Sequence, residues 1–252
     1  MVSSDTVFAG SIPELYDRCL GPFLFEPYAA DLAERAALLA PRRILETAAG
    51  TGIVTARLAA ALPQAEIVAT DLNPGMLDVA SRKMSSPRLS FEPADAQSLP
   101  FDDGGFDLVV CQFGAMFFPD RVAAYREARR VLRPGGALLF NVWDRIDSNP
   151  ASKAVADAVA ALFPGDPPGF LARIPFGYHD KARVEADLRA AGFASIDSET
   201  VAMRSPGFER DAALGLCQGS PLRSEIEARD PDRLGEATEA AAAALARLGG
   251  PA

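Results

Sequence analysis

The chain is predicted to fold as an α/β protein built on a doubly wound, mostly parallel sheet. Three observations carry that expectation. Short β-rich runs recur at Arg43–Thr47, Glu66–Thr70, Arg88–Glu92, Phe106–Gln112 and Gly136–Trp143, each bounded by Gly, Pro, Asp or Asn. Helical stretches separate them, and right-handed crossovers then place helices on both faces of the sheet. The first run feeds a turn of small residues that opens a helix, the arrangement in which such sheets hold ligands at their strand ends.

Taken in order, residues 1–40 read as a helical cover, with Leu15, Tyr16, Cys19 and Leu20 and then Leu32, Ala36 and Leu39 at helical spacing. The core runs over 41–145. Within it, Asn73-Pro74 reads as an N-cap with Pro in the first turn, and Met76, Leu77, Val79, Ala80 and Met84 form an apolar stripe behind it. A helix over about Asp120–Leu132 stops at Arg133-Pro134-Gly135-Gly136, a strong breaker. Residues 146–179 form a lid insertion that starts as a helix and dissolves into a proline-rich loop. Residues 180–203 complete the core with a helix near Asp180–Ala191 and a sixth strand near Phe193–Ala202, and 204–252 read as helical, with no seventh strand. All five parts are expected to form one structural domain.

Thirty-four acidic against twenty-five basic side chains leave a net charge of -9, the wrong sign for an extended grip on nucleic acid. The longest uncharged run, Leu108–Pro119, falls short of the ~18–20 apolar residues of a membrane span. The N-terminal stretch lacks the basic start and apolar core of a secretory signal, so a cytoplasmic location is expected. Cys19, Cys111 and Cys217 are far apart and odd in number, and His179 is the only histidine. Buried free thiols and no protein-bound metal are expected.

The chemistry concentrates in Ile44-Leu45-Glu46-Thr47-Ala48-Ala49-Gly50-Thr51-Gly52-Ile53. Small residues let a ligand approach the backbone closely, and the helix start offers free N–H groups to it. Asp71 follows at the end of the next strand, where a carboxylate can accept from both hydroxyls of a ribose. A nucleotide-like ligand is implied. A dinucleotide fingerprint would need glycine where Thr55 stands, and the acid at Glu46 is no part of it.

The series Glu46, Ala48, Gly50, Gly52 resembles the first motif of the class I S-adenosylmethionine-dependent methyltransferases. ATDLNPGML, FEPADAQSLPF, FDLVVCQFGAMFF and REARRVLRPGGALLFNVW are similar to the successive motifs of the ubiquinone-biosynthesis-type, or methyltransferase type 11, small-molecule group, and the likeness spans roughly residues 10–203. Ala48 departs from the glycine usual there. The resemblance implies S-adenosylmethionine as cofactor and a small, partly apolar acceptor. It implies that Glu46, Ala48, Gly50 and Gly52 hold the methionine end and Asp71 the ribose. Leu72 would pack on the adenine, Asp95 and the Ala96 N–H would bond its edge, and Gln112 and Phe113 would line the sulfonium side. Leu72 and Phe113 could equally be core, and Asp95 a turn residue.

The sulfonium donor is already activated, so alignment and exclusion of water are expected to dominate, with a base needed only where the acceptor must lose a proton. His179, immediately before a helix, and Tyr16, in the N-terminal cover, are the candidate catalytic proton handlers. Cap or packing roles are commoner for both. Two other readings stay open: an NAD(P)-dependent oxidoreductase, and a non-catalytic nucleotide-binding or partner-binding protein on the same fold.

Overall fold

Five strands pair entirely in parallel: β1 (Arg43–Glu46), β2 (Glu66–Asp71), β3 (Leu89–Pro93), β4 (Phe106–Gln112) and β5 (Leu132–Asn141), in the order β3-β2-β1-β4-β5. A computed structural model supplies this description and covers residues 8, 10–204 and 209–248. Expectations for 1–7, 9, 205–208 and 249–252, including the end of the chain, lie outside the described residues. β1 and β4 are central, and Ile44, Leu45, Leu108, Val109 and Val110 are fully buried, which is why these strands read as continuous apolar runs. Ile44 faces Ile67 of β2 on one side and Leu108 of β4 on the other. The strand order reverses between β1 and β4, and the crevice at their carboxyl ends is where such sheets bind ligands.

Helices α3 (Ile53–Ala61), α4 (Pro74–Lys83) and α5 (Arg121–Val131) follow the strands as crossovers, and α2 (Glu26–Leu38) enters from the N-terminal part. Leu45 and Val109 pack on Ala128 and Val131 of α5 across one face, while Ile44 and Leu108 cluster with Ala29, Leu32 and Ala33 of α2 on the other. Asp120 caps α5 as its type predicts, accepting from the Ala123 N–H at 2.9 Å. Asn73 does not use its side chain as a cap: its N–H donates to Asp71 at 2.8 Å, and its amide oxygen accepts from the Phe8 N–H. The expected breaker at Arg133–Gly136 is a bulge inside β5, where pairing jumps from Phe106 with Leu132 to Leu108 with Ala137.

The sixth strand expected over Phe193–Ala202 is not formed; the sheet has five strands, and residues 193–204 carry no regular structure. Phe193 packs against the clusters on both faces of the sheet, Glu199 pairs with Arg35 of α2, and the Met203 backbone bonds the Tyr28 hydroxyl. The segment thus passes around the free edge of β5 toward α2 without making ladder bonds to it. Its β-rich composition signals an extended chain, but a strand also needs a neighbour. Among the described residues none follows, in agreement with the missing seventh strand.

The N-terminal part consists of α1 (Ile12–Leu15) and a π-helix over Tyr16–Phe25 that contains Pro22 and leads into α2. Beyond the sheet lie α6 (Pro150–Leu162), α7 (Phe170–Arg173), α8 (Lys181–Ala190), α9 (Glu209–Gln218), α10 (Leu222–Arg229) and α11 (Leu234–Leu248). At the end of α9 a Cβ on Gly219 would stand 3.0 Å from the Leu15 carbonyl carbon and the Tyr16 nitrogen, so glycine permits this close approach to the π-helix. Tyr178 anchors the end of the lid: it is 1% exposed, donates to Asp187 at 2.8 Å and lies under the Arg121 guanidinium. All three cysteines are buried and free, and burial pushes the Cys111 thiol up to about 11. Among the described residues no helix is long and apolar enough to cross a membrane.

Candidate functional site

The loop after β1 is braced on both sides. Thr47 N–H donates to Val110 of β4 and Ala49 N–H to Thr70 of β2, each at 2.9 Å, and Gly50 N–H donates to the Asp71 carboxylate at 2.9 Å. Gly50 and Gly52 have φ of +56° and +78°, the left-handed backbone that glycine adopts without strain. Ala48 also lies there, at φ +53°. An L-residue in this conformation costs roughly 1–2 kcal/mol, and glycine loses some of that advantage through unfolded-chain entropy. Ala48→Gly is therefore expected to stabilise the protein by about 0.5–1 kcal/mol, read by denaturant unfolding. A loss of stability would mean that the methyl group packs better than the backbone is strained.

A first, open cavity lies at this loop, lined by Glu46, Ala48, Gly50, Thr51 and Gln112 together with Tyr16 and Phe25. Glu46 is 1% exposed and accepts from the Thr55 hydroxyl at 2.7 Å. Burial pushes its carboxyl up to about 8, helped by the neighbouring Asp71. Burial also raises Asp71, against the N–H groups of Asn73 and Gly50 that favour its charged form. Thr51, in the lining of this cavity, has a buried hydroxyl with no hydrogen-bond partner, a group free to bond a polar ligand. Sequence reasoning named the glycines on either side and passed over it, since an orphaned hydroxyl is visible only once its surroundings are known.

A second cavity shares Tyr16 and Phe25 with the first as lining residues. Its walls include Phe8, Leu20, Phe113, Phe117, Trp143, Phe170, Leu171 and Phe176, with Ser152 and Ser220 among the few polar residues and no charged side chain among the described residues. Tyr16 and Phe25 stack at 4.9 Å between ring centroids, and Phe113 lies parallel to Trp143 at 3.8 Å. Phe113 holds a strained φ of +51°, fixed by its N–H donating to the Asn141 side chain at 3.0 Å. Burial and the nearby Asp71 keep the Tyr16 phenol well above its usual range, so it stays neutral and can donate.

The predicted residues thus separate into groups. Glu46, Ala48, Gly50 and Gln112 line the first cavity, Tyr16 lines both, and Phe113 lines only the second. Gly52 starts α3, and Asp71 braces the loop at 7% exposure. Leu72 is 50% exposed beside it, while Asp95 accepts from the Gln97 N–H and sits with Ala96, half-buried, after β3. None of these last three touches either cavity. His179 lines neither one; its Nδ1 lies 2.9 Å from the Phe176 carbonyl oxygen.

The fold and this site define a Rossmann-like protein with a ligand cradle at the β1 loop and an acid at the end of β2. Residues 44–136 match the family model of the methyltransferase domain. The chain is 36% identical over 169 residues to a demethylmenaquinone methyltransferase of Clavibacter sepedonicus, covering 63% of this chain and 68% of that protein. It is also 36% identical over 161 residues to a demethylmenaquinone methyltransferase of Deinococcus radiodurans, covering 62% and 65%. The matches therefore span about two thirds of the length of these curated relatives. Among solved structures, the cyclase SpnF superposes with a TM-score of 0.57 at 24% identity, covering 89% of this chain and 75% of the other, a likeness of fold. The chain belongs to the S-adenosylmethionine-dependent methyltransferase family.

Proposed function

We propose that this protein transfers a methyl group from S-adenosylmethionine to a small, uncharged, largely apolar acceptor held in the second cavity. The observation that carries the reading is the shared wall: an acidic glycine-loop cavity and an aromatic cavity meet at Tyr16 and Phe25. The residues of the first cavity fit the cofactor. The buried Glu46 carboxyl in this lining suits a ligand end bearing an ammonium, and an acid there offers no cation to a pyrophosphate, which argues against a dinucleotide. Bound there, the sulfonium supplies an activated methyl group. Glu46 and Thr51 would hold the amino-acid end beside the Gly50–Gly52 backbone, Asp71 the ribose, and Leu72, Asp95 and Ala96 the base. Gln112 would line the sulfonium side, while Phe113 would belong to the acceptor's walls.

The chain's own contribution is alignment and exclusion of water. Tyr16 would donate to an acceptor oxygen where the cavities meet, and the placement of His179 favours a structural role for it. The names of the two relatives support an acceptor with a quinone-type ring, which matches an uncharged aromatic cavity. A cytoplasmic setting belongs to the same proposal, supported by three unpaired cysteines.

Calorimetry with S-adenosylhomocysteine and NAD tests the central reading. Binding of the first at micromolar concentration and none of the second is expected, and failure of S-adenosylhomocysteine to bind at millimolar concentration would refute it. A labelled-donor assay with a naphthoquinol then tests transfer itself.

Thr51→Val sharpens the assignment. Removing an unsatisfied buried hydroxyl should leave the free protein as stable or up to about 1 kcal/mol more stable, yet weaken S-adenosylhomocysteine binding by about 1–2 kcal/mol. Methylthioadenosine, which lacks the amino-acid end, should bind wild type and variant alike. Equal losses for both ligands would move the Thr51 contact to the nucleoside.

A further inference from the structure

We propose that Glu225 of α10 is the positioning residue that holds the mouth of the acceptor cavity shut. It rests on the reading of the second cavity given above and adds the element that controls access to it. Helix α7 is a single turn, too short to be stable alone, and it follows Pro164, Pro167 and Pro168 in a stretch with few backbone bonds of its own. Phe170 and Leu171 of that turn line the cavity and are 1% and 4% exposed. The position of this wall is therefore set from outside the turn.

The Glu225 carboxylate supplies that anchor. One oxygen accepts from the Gly169 and Phe170 N–H groups at 2.7 and 3.0 Å, and the other accepts from the Arg173 guanidinium at 2.6 Å. One side chain thus satisfies two N–H groups at the start of α7 and pairs with a cation at its end, with charge-assisted bonds throughout. One turn further along α10, Arg229 donates to the Asp166 and Pro167 carbonyl oxygens, so the same helix grips the approach to α7. Ser220 and Pro221, immediately before α10, line the same cavity as Phe170 and Leu171 of α7. Two stretches of the cavity's lining are thus tied to one short segment, and Glu225 carries the tie to the aromatic wall.

Trp143, the only tryptophan of the chain, lines this cavity at 8% exposure and reports on the mouth directly. Acrylamide, a small neutral quencher, should reach it poorly in the full-length wild type. In Glu225→Ala the quenching constant should rise at least about threefold as α7 opens locally. In Glu225→Gln, whose amide oxygen can still accept from both N–H groups, it should stay near the wild-type value. S-adenosylhomocysteine affinity should remain within about twofold of wild type in both, because α7 does not line the first cavity. Unchanged quenching in a folded Glu225→Ala protein would overturn the proposal, as would a parallel loss of cofactor affinity, which would signify general loosening. If Glu225→Ala does not fold, Arg229→Met must show the same rise in quenching on a smaller scale, and its absence there would also overturn the proposal. Quenching needs no acceptor, so failure of the gate and failure of the methyl-transfer reading are seen separately.

Discussion

Replacing Asp71 with alanine is expected to weaken S-adenosylhomocysteine binding by about 3 kcal/mol or more, at least a hundredfold, while the protein stays folded. Two losses add. A ribose would lose a charge-assisted acceptor for its hydroxyls. The loop would lose its brace, because the same carboxylate accepts from Gly50 N–H at 2.9 Å and Asn73 N–H at 2.8 Å. Asp71→Asn keeps one acceptor oxygen and should fall between wild type and Asp71→Ala. Calorimetry decides it, with thermal melting as the control. An Asp71→Ala protein binding within about threefold of wild type would show that neither the brace nor the ribose contact matters.

The second large effect is a dependence on pH through Glu46. Its carboxyl is pushed from an ordinary 4.5 up to about 8, chiefly by burial. The folded state therefore holds this proton where the unfolded chain has released it. The stabilisation is full below the unfolded value of 4.5 and is lost as pH rises toward the folded value of about 8, by up to about 1.4 kcal/mol per unit. A bound ammonium favours the ionised form and reverses the balance. Binding of S-adenosylhomocysteine should release a proton below about pH 8 and tighten by up to about tenfold per unit as pH rises toward it. Glu46→Gln should abolish both slopes, melt higher than wild type at pH 8 without ligand, and bind the ligand about 2–3 kcal/mol more weakly. A wild-type affinity independent of pH between about 6 and 8 would show that the carboxylate does not meet the cation.

Much of this site was legible before any fold was known. Glu46, Gly50 and Asp71 sit where a strand end and a turn must sit, and the backbone conformations of Gly50 and Gly52 are those the glycines imply. The role expected of Phe113 was only half legible. Its sequence position just after β4 places it at the carboxyl edge of the sheet, but which cavity its ring enters depends on a positive φ held by Asn141, 28 residues away. His179 was singled out for its chemistry, and its ring rests against its own lid segment. Thr51 and Glu225 carried no signal of their own, because an unpartnered hydroxyl and a carboxylate across 55 residues of chain are properties of neighbours.

The sequence by itself determined the parallel α/β sheet, its five strands, the loop after β1 and the acid at the end of β2. These follow from local periodicity, turn chemistry and the handedness of crossovers, which act over a few residues to one crossover. Tertiary structure alone decided that residues 193–204 pass around the sheet edge without joining it, and that Tyr16 and Phe25 form the wall between two cavities. It also decided that a glutamate of α10 holds the wall of the second cavity. Each of these outcomes depends on segments distant in sequence meeting in space, and a β-rich run, an aromatic residue or a carboxylate takes its role from what it meets.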